Sequence, residues 1–158
     1  MATLQSLAIE KKKFNDLLRQ IDALPKELRK GSELSVLRAG AILIRTSAKI
    51  FAARSKDSGA LGKSITLIIT GKTGSKTAKV GPLKGYRKTI KRTNKKSGKK
   101  YLMEAVPTNY SHLIEFGTSR TPAQPYIRPA IDATQEKVAG AMAAQLDLYL
   151  TRILAKSS

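Results

Sequence analysis

Three groups of residues have side chains of the kind that do chemistry: a Gly-Lys-Thr run, a single histidine and a dense run of cations. Gly71-Lys72-Thr73 imitates the end of a phosphate-binding loop. That motif needs a glycine five residues before Gly71, where Thr66 stands. It also needs a helix directly after it, with its N-terminus aimed at the phosphates. The residues that follow read as a strand, so a hairpin turn is the expectation. His112 is the only histidine and the chain has no cysteine. It therefore lacks partners for a zinc site and reads as a surface or half-buried residue. The 11 Asp and Glu are scattered without a recognisable pair for acid–base or metal-assisted hydrolysis. Hydroxyl groups are plentiful, but they lack a plausible base nearby in sequence. No catalytic residue, metal or cofactor is expected, and the chain is read as not an enzyme.

The cations are the stronger signal. There are 30 Lys and Arg, for a formal charge of +19. Between Leu34 and Met103 the only acid is Asp57, among 18 Lys and Arg. Nine of these fall within Lys84 to Lys100: Lys84, Arg87, Lys88, Lys91, Arg92, Lys95, Lys96, Lys99 and Lys100. Such a field attracts polyanions: nucleic acid, an acidic membrane surface or an acidic protein. Tyr86 and Tyr101 flank the run but no aromatic interrupts Lys88 to Lys100, so base stacking is not signalled. No DNA- or RNA-binding motif is present. These nine residues are candidates for non-specific, salt-sensitive DNA contact or for contact with an acidic partner. The alternative is a solvated charge run with no partner.

The elements that must position these groups follow from periodicity. Phe14, Leu17, Leu18, Ile21 and Leu24 predict a first helix from about Leu4 to Ala23. Leu34, Leu37, Ala41, Ile44, Ala48 and Phe51 form one stripe of a second, beginning near Pro25 and ending before Ser58-Gly59. Ser64 to Thr70 alternates as a strand, with Ile65, Leu67 and Ile69 on one face. Gly71 to Ser75 is a turn; Thr77 to Gly81 and Tyr101 to Val106 are further strands. Lys84 to Lys100 has no apolar pattern and reads as a mobile loop or the tip of a long hairpin. Asn109 is placed to cap a short helix that Gly117 ends in a left-handed conformation. Pro129 then opens a final helix of about six turns, with Ile131, Val138, Met142, Leu146, Tyr149 and Ile153 on its inner face. The expected fold class is α+β in a single domain, residues 1–158. A small antiparallel sheet of three or four strands packs with two N-terminal helices, a short helix and a long C-terminal helix. No stretch of 18 apolar residues exists to span a membrane, and Met1 to Lys13 lacks the pattern of a secretory signal.

One pair of segments is more specific. Tyr110-Ser111-His112-Leu113-Ile114-Glu115-Phe116-Gly117-Thr118 is followed by Pro122-Ala123-Gln124-Pro125-Tyr126-Ile127-Arg128-Pro129-Ala130. The pair resembles the signature of a phage tail-component family, the tail-completion or head–tail joining proteins of long-tailed bacteriophages that include minor tail protein Z. There an aromatic-rich segment ends in Glu-Phe-Gly-Thr, and Pro-aromatic-x-Arg-Pro-Ala opens the last helix. Leu24 to Leu28, Ser58 to Ile65 and Val80-Gly81-Pro82 fit the same order, so the resemblance runs from about Ile21 to Ala133. Lys56-Asp57 stand where the family often has a proline.

The resemblance implies a virion protein at the head–tail junction, assembled in the host cytoplasm. It would form a ring of itself, six subunits favoured and twelve admissible, against neighbouring neck and tail-terminator proteins and around genomic DNA. The motif residues Tyr110, Glu115, Phe116, Gly117, Thr118, Pro125, Tyr126, Arg128 and Pro129 are then candidates for a subunit or partner interface. Gly117 is suited to a positive φ, and Pro125 and Pro129 stiffen the loop. Phe116 and Tyr126 are expected to anchor its two ends in the core. Glu115 and Arg128, of opposite charge, are expected either to pair, within a subunit or across a subunit interface, or to stand as independent exposed charges. A free-standing, non-specific DNA-binding protein is the alternative function.

Overall fold

A computed structural model describes residues 12–13, 15–17, 19–55, 59–94 and 96–157. The expected helix start at Leu4, Phe14 and Leu18 on its stripe, Ser58, and Lys95 of the basic run lie outside them. The described residues between 12 and 22 are helical. There follow α1 (Lys26–Arg54), a short α2 (Ala60–Ser64), β1 (Ile65–Thr70), β2 (Thr77–Pro82), β3 (Lys88–Thr93), β4 (Lys100–Ala105), α3 (Pro107–Phe116) and α4 (Arg128–Ser157). The class is α+β. The strands, however, form two separate two-stranded sheets, β1 with β2 and β3 with β4, instead of one sheet of three or four.

The chain sorts into two compact units: Met1–Ile44, Leu67–Lys79 and Asp132–Ser158 in the first, Arg45–Thr66 and Val80–Ile131 in the second. The boundaries fall inside α1, β1, β2 and α4.

The first unit is built on helix packing. Leu17, Ile21, Val36, Met142 and Leu146 form its buried cluster, with Leu24, Leu37, Val138, Ala143 and Leu150 against it. Of the expected α1 stripe, Ala41 and Ala48 are buried and Leu37 and Phe51 pack against the clusters, but Leu34 is 38% exposed and Val36 is buried in its stead. Small residues let neighbours come close. A Cβ on Gly40 would meet Met142 Sδ at 2.8 Å, and one on Gly31 would collide with the Tyr149 hydroxyl. Gly31 therefore sits inside an unbroken helix, because a neighbouring side chain occupies the place of its own. In α4, Met142 and Leu146 are buried as expected, but Ile131 is exposed.

The second unit holds the motif. Its main cluster is Ala48, Ala52, Leu61, Ile65, Tyr126 and Ala130, packed with Phe51, Val80, Tyr110, Ile114 and Ile127. Ala60, Ile90 and Ala105 form a smaller one with Tyr86 and Tyr110. The unforeseen α2 supplies Ala60, Leu61 and Ser64, all buried, and the Ser64 hydroxyl donates to the Leu61 carbonyl at 2.7 Å. Its last residue precedes β1, which therefore starts one residue later than expected. α3 begins two residues before the expected Asn109 cap. Val106 is its N-cap and Pro107 its first residue, where a missing N–H loses nothing.

The basic run is a hairpin, not a featureless loop. β3 and β4 pair antiparallel, with Ile90 opposite Met103, Lys91 opposite Leu102 and Arg92 opposite Tyr101.

Candidate functional site

The motif folds into a clasp around one carboxylate. Glu115, on the last turn of α3, is 8% exposed. Its Oε2 accepts the backbone N–H groups of Tyr126 at 2.8 Å and Ile127 at 3.0 Å, and its Oε1 accepts that of Arg128 at 3.2 Å. These are donors at the start of α4, which its own turns cannot satisfy. A buried carboxylate there meets both the orphan donors and the positive end of the helix dipole. Pro129 has no N–H to place, so the next position leaves no donor unmet.

The expected Glu115–Arg128 side-chain pair is thus not present within the subunit. Glu115 binds the Arg128 backbone, and the Arg128 guanidinium lies over the Phe116 ring, 5.1 Å from its centroid. Phe116 is 65% exposed, so it does not anchor the loop in the core as expected. It follows Glu115 on the helix, and with Glu115 turned inward its ring is carried outward. Tyr126 does anchor the other end, at 3% exposure. Burial pushes its phenol above the ordinary tyrosine value, a hydrogen bond with Ser111 opposes that, and the Glu115 charge adds to it.

Between these ends the loop is held by its backbone. Gly117 has φ +77° and ψ −177°, so the positive φ is present but not the left-handed helical ψ expected of it. A Cβ there would meet Ala123 N at 2.7 Å and Thr121 O at 3.0 Å. Its N–H caps the Leu113 carbonyl, and the Gln124 N–H reaches the Ile114 carbonyl at 2.8 Å. Thr118 pairs with Thr121 through its backbone, and its hydroxyl accepts the Arg120 and Thr121 N–H groups. Tyr110 packs in the core, and Pro125 is exposed.

The cations sit differently. Arg87 pairs with Glu104 at 2.9 Å on the surface. Lys84, Lys91, Arg92, Lys96, Lys99 and Lys100 are exposed and Lys88 is half-buried. The turn joining β3 to β4 is closed by Asn94. Its side chain accepts the N–H groups of Lys96 and Ser97, and its backbone bonds Lys99 and Gly98. In this hairpin, paired residues share a face. Lys88 and Arg92 therefore lie on one face, Lys91 and Lys100 on the other.

Neither the histidine nor the Gly-Lys-Thr run gathers partners. His112 is exposed, and no cluster of three His, Cys, Asp or Glu able to hold a metal occurs among the described residues. Gly71-Lys72-Thr73 is an exposed turn between β1 and β2. The turn is gripped by Glu33, which accepts the Gly74 N–H at 2.7 Å and pairs with Lys76 at 2.8 Å. Sequence reasoning missed this buried pair, whose partners are 41 and 43 residues apart. It also missed a cleft of about 590 Å³ bounded by β3, β4, α3 and the loop after it.

No protein-family model, no curated protein and no solved structure matches this chain. No helix among the described residues is long and apolar enough to cross a membrane.

Proposed function

We propose that this chain is a structural virion protein of a long-tailed bacteriophage, a tail-completion or head–tail joining component that closes into a ring at the top of the tail. The observation that carries the reading is the clasp. The segment that resembles the family signature is a rigid unit in which Glu115 fixes the start of α4, while Phe116, under the Arg128 guanidinium, faces outward. An exposed aromatic ring at the end of one helix, under a cation that opens the next, suits a subunit interface, where aromatic and arginine anchors carry most of the affinity. Head-to-tail contacts whose rotation closes make a ring; six subunits would match tail symmetry and twelve the portal. The contacts run to copies of itself and to neighbouring neck and tail-terminator proteins. The basic hairpin faces genomic DNA or an acidic neighbour.

Electron microscopy of particles made with this gene disrupted tests the reading. Filled heads beside separate, otherwise normal tails support it, and intact infectious particles overturn it. Phe116→Ala should reproduce the phenotype in weaker form.

The charge of the hairpin favours a second reading, a free-standing non-specific DNA-binding protein. A gel-shift titration in rising salt separates the two. Tight binding of free duplex near physiological salt supports the second, since each phosphate neutralised contributes a slope of about 0.9 in log affinity against log salt.

A further inference from the structure

We infer that the cleft beside the basic hairpin is a docking site for a short acidic, apolar segment of a different polypeptide. This goes beyond the ring reading and does not depend on it.

The cleft lies wholly within the second unit. Ile90 and Met103 line it from the hairpin, Leu113 and Ile114 from α3, and Pro122 from the loop after it. Met103 and Leu113 are both more than 40% exposed, so the apolar lining opens to the surface. A cleft of about 590 Å³ lined mainly by apolar side chains with a few polar groups has the form of a binding site.

Charge identifies the occupant. Arg92 also lines the cleft. The one carboxylate there, Glu104, is engaged by Arg87. Among the described residues no carboxylate pairs with Arg92. Lys96 and Lys99 in the adjoining turn, and Lys91 and Lys100 on the opposite face of the ribbon, are exposed cations of the same hairpin whose field extends to Arg92. The site is therefore an apolar groove with one free guanidinium inside a positive field. Arg92 lies two residues along β3 from Ile90, about 7 Å. A ligand with a large apolar side chain and a carboxylate about that far apart, as at positions i and i+2 of an extended segment, fills both. Duplex DNA satisfies the cations but offers nothing to Leu113, Met103 and Ile114. A second copy brings +19 to a face already positive.

The test is selection of a displayed random library of 12-residue peptides on the purified full-length chain near 0.15 M salt. Methyl NMR with the enriched peptides follows. Peptides in which a large apolar residue stands two positions from Asp or Glu should be enriched. They should shift the methyl signals of Ile90, Met103, Leu113 and Ile114. Arg92→Gln should weaken them up to about fivefold, the worth of one exposed ion pair, and Leu113→Glu should abolish binding. Because Arg92 is exposed, its variant keeps the test sharp even where Leu113→Glu fails to fold. No enrichment, enrichment without acids, or shifts elsewhere overturn the inference. So does movement of the same methyls on adding random-sequence duplex DNA or on raising protein concentration alone. The particle experiment is separate, so either proposal can fail without the other.

Discussion

Glu33 and Glu115 are both buried carboxylates that hold a turn by its backbone, one in each unit, but their partners differ in kind. Glu33 divides itself between the Gly74 N–H and the Lys76 ammonium. Glu115 spends both oxygens on three backbone N–H groups at the start of α4. A side-chain partner can be replaced together with the carboxylate it binds. Backbone donors cannot, so nothing else in the chain can be altered to excuse the loss of Glu115. The first arrangement tolerates compensation, and the second makes one residue indispensable to a loop shape. A signature readable in sequence is what the second produces: a fixed acid, a glycine that admits no Cβ and prolines where no donor is wanted.

Breaking the clasp should give the largest effect. Glu115→Ala leaves three buried or half-buried donors unmet and should cost about 4 kcal/mol. Denaturant unfolding measures it, with hydrogen exchange rising first at Tyr126, Ile127 and Arg128. A loss below 1 kcal/mol would mean that water replaces the carboxylate. Glu33→Leu alone should cost about 3 kcal/mol by stranding Lys76, whose side chain is 12% exposed. Adding Lys76→Met should return the protein to within about 1 kcal/mol of wild type, since Gly74 is exposed and water can serve its N–H. Failure of the double variant to recover would erase the contrast drawn between the two glutamates.

Tyr126→Phe should cost about 1 kcal/mol at neutral pH through the lost bond to Ser111. Its sharper signature is alkaline. A phenol raised in the folded state resists ionisation that the unfolded chain undergoes near pH 10. Its contribution is therefore present below that pH and lost as pH rises through the folded value. The Phe variant should lose less stability than wild type above pH 10, followed by thermal unfolding across pH 8 to 11. The smallest effect belongs to the exposed pair Arg87–Glu104. Replacing both residues should change stability by less than about 1 kcal/mol.

The clasp also shows how far the sequence reaches. Glu115, Gly117, Tyr126, Arg128 and Pro129 are legible as a unit because they lie within 15 residues. The sequence nonetheless suggested the wrong partner for Glu115. Letters display side-chain charges and hide backbone donors, so Arg128 drew attention for its guanidinium when its N–H was the group bound. Phe116 was misplaced for a related reason: adjacent helix residues point about 100° apart, and here the carboxylate took the inner direction. β3 went unread because a two-stranded ribbon open to solvent needs no apolar alternation, and Ile90 is the one apolar residue among six. The division into two sheets depends on which strands meet across intervening chain, which periodicity does not encode. The expected α1 stripe is met at Leu37, Ala41, Ala48 and Phe51 but not at its first member, Leu34, where Val36 takes the buried place.

The separation of each glutamate from its partners also sets an order of events. Glu115 closes loops of 11 to 13 residues and Glu33 loops of 41 to 43. The entropy of loop closure grows with the logarithm of length, so the longer closure costs about 1 kcal/mol more before any contact rewards it. The clasp can therefore form while the turn after β1 is still searching for Glu33. Refolding kinetics should show this as a slower folding rate for Glu115 variants and a faster unfolding rate for Glu33 variants.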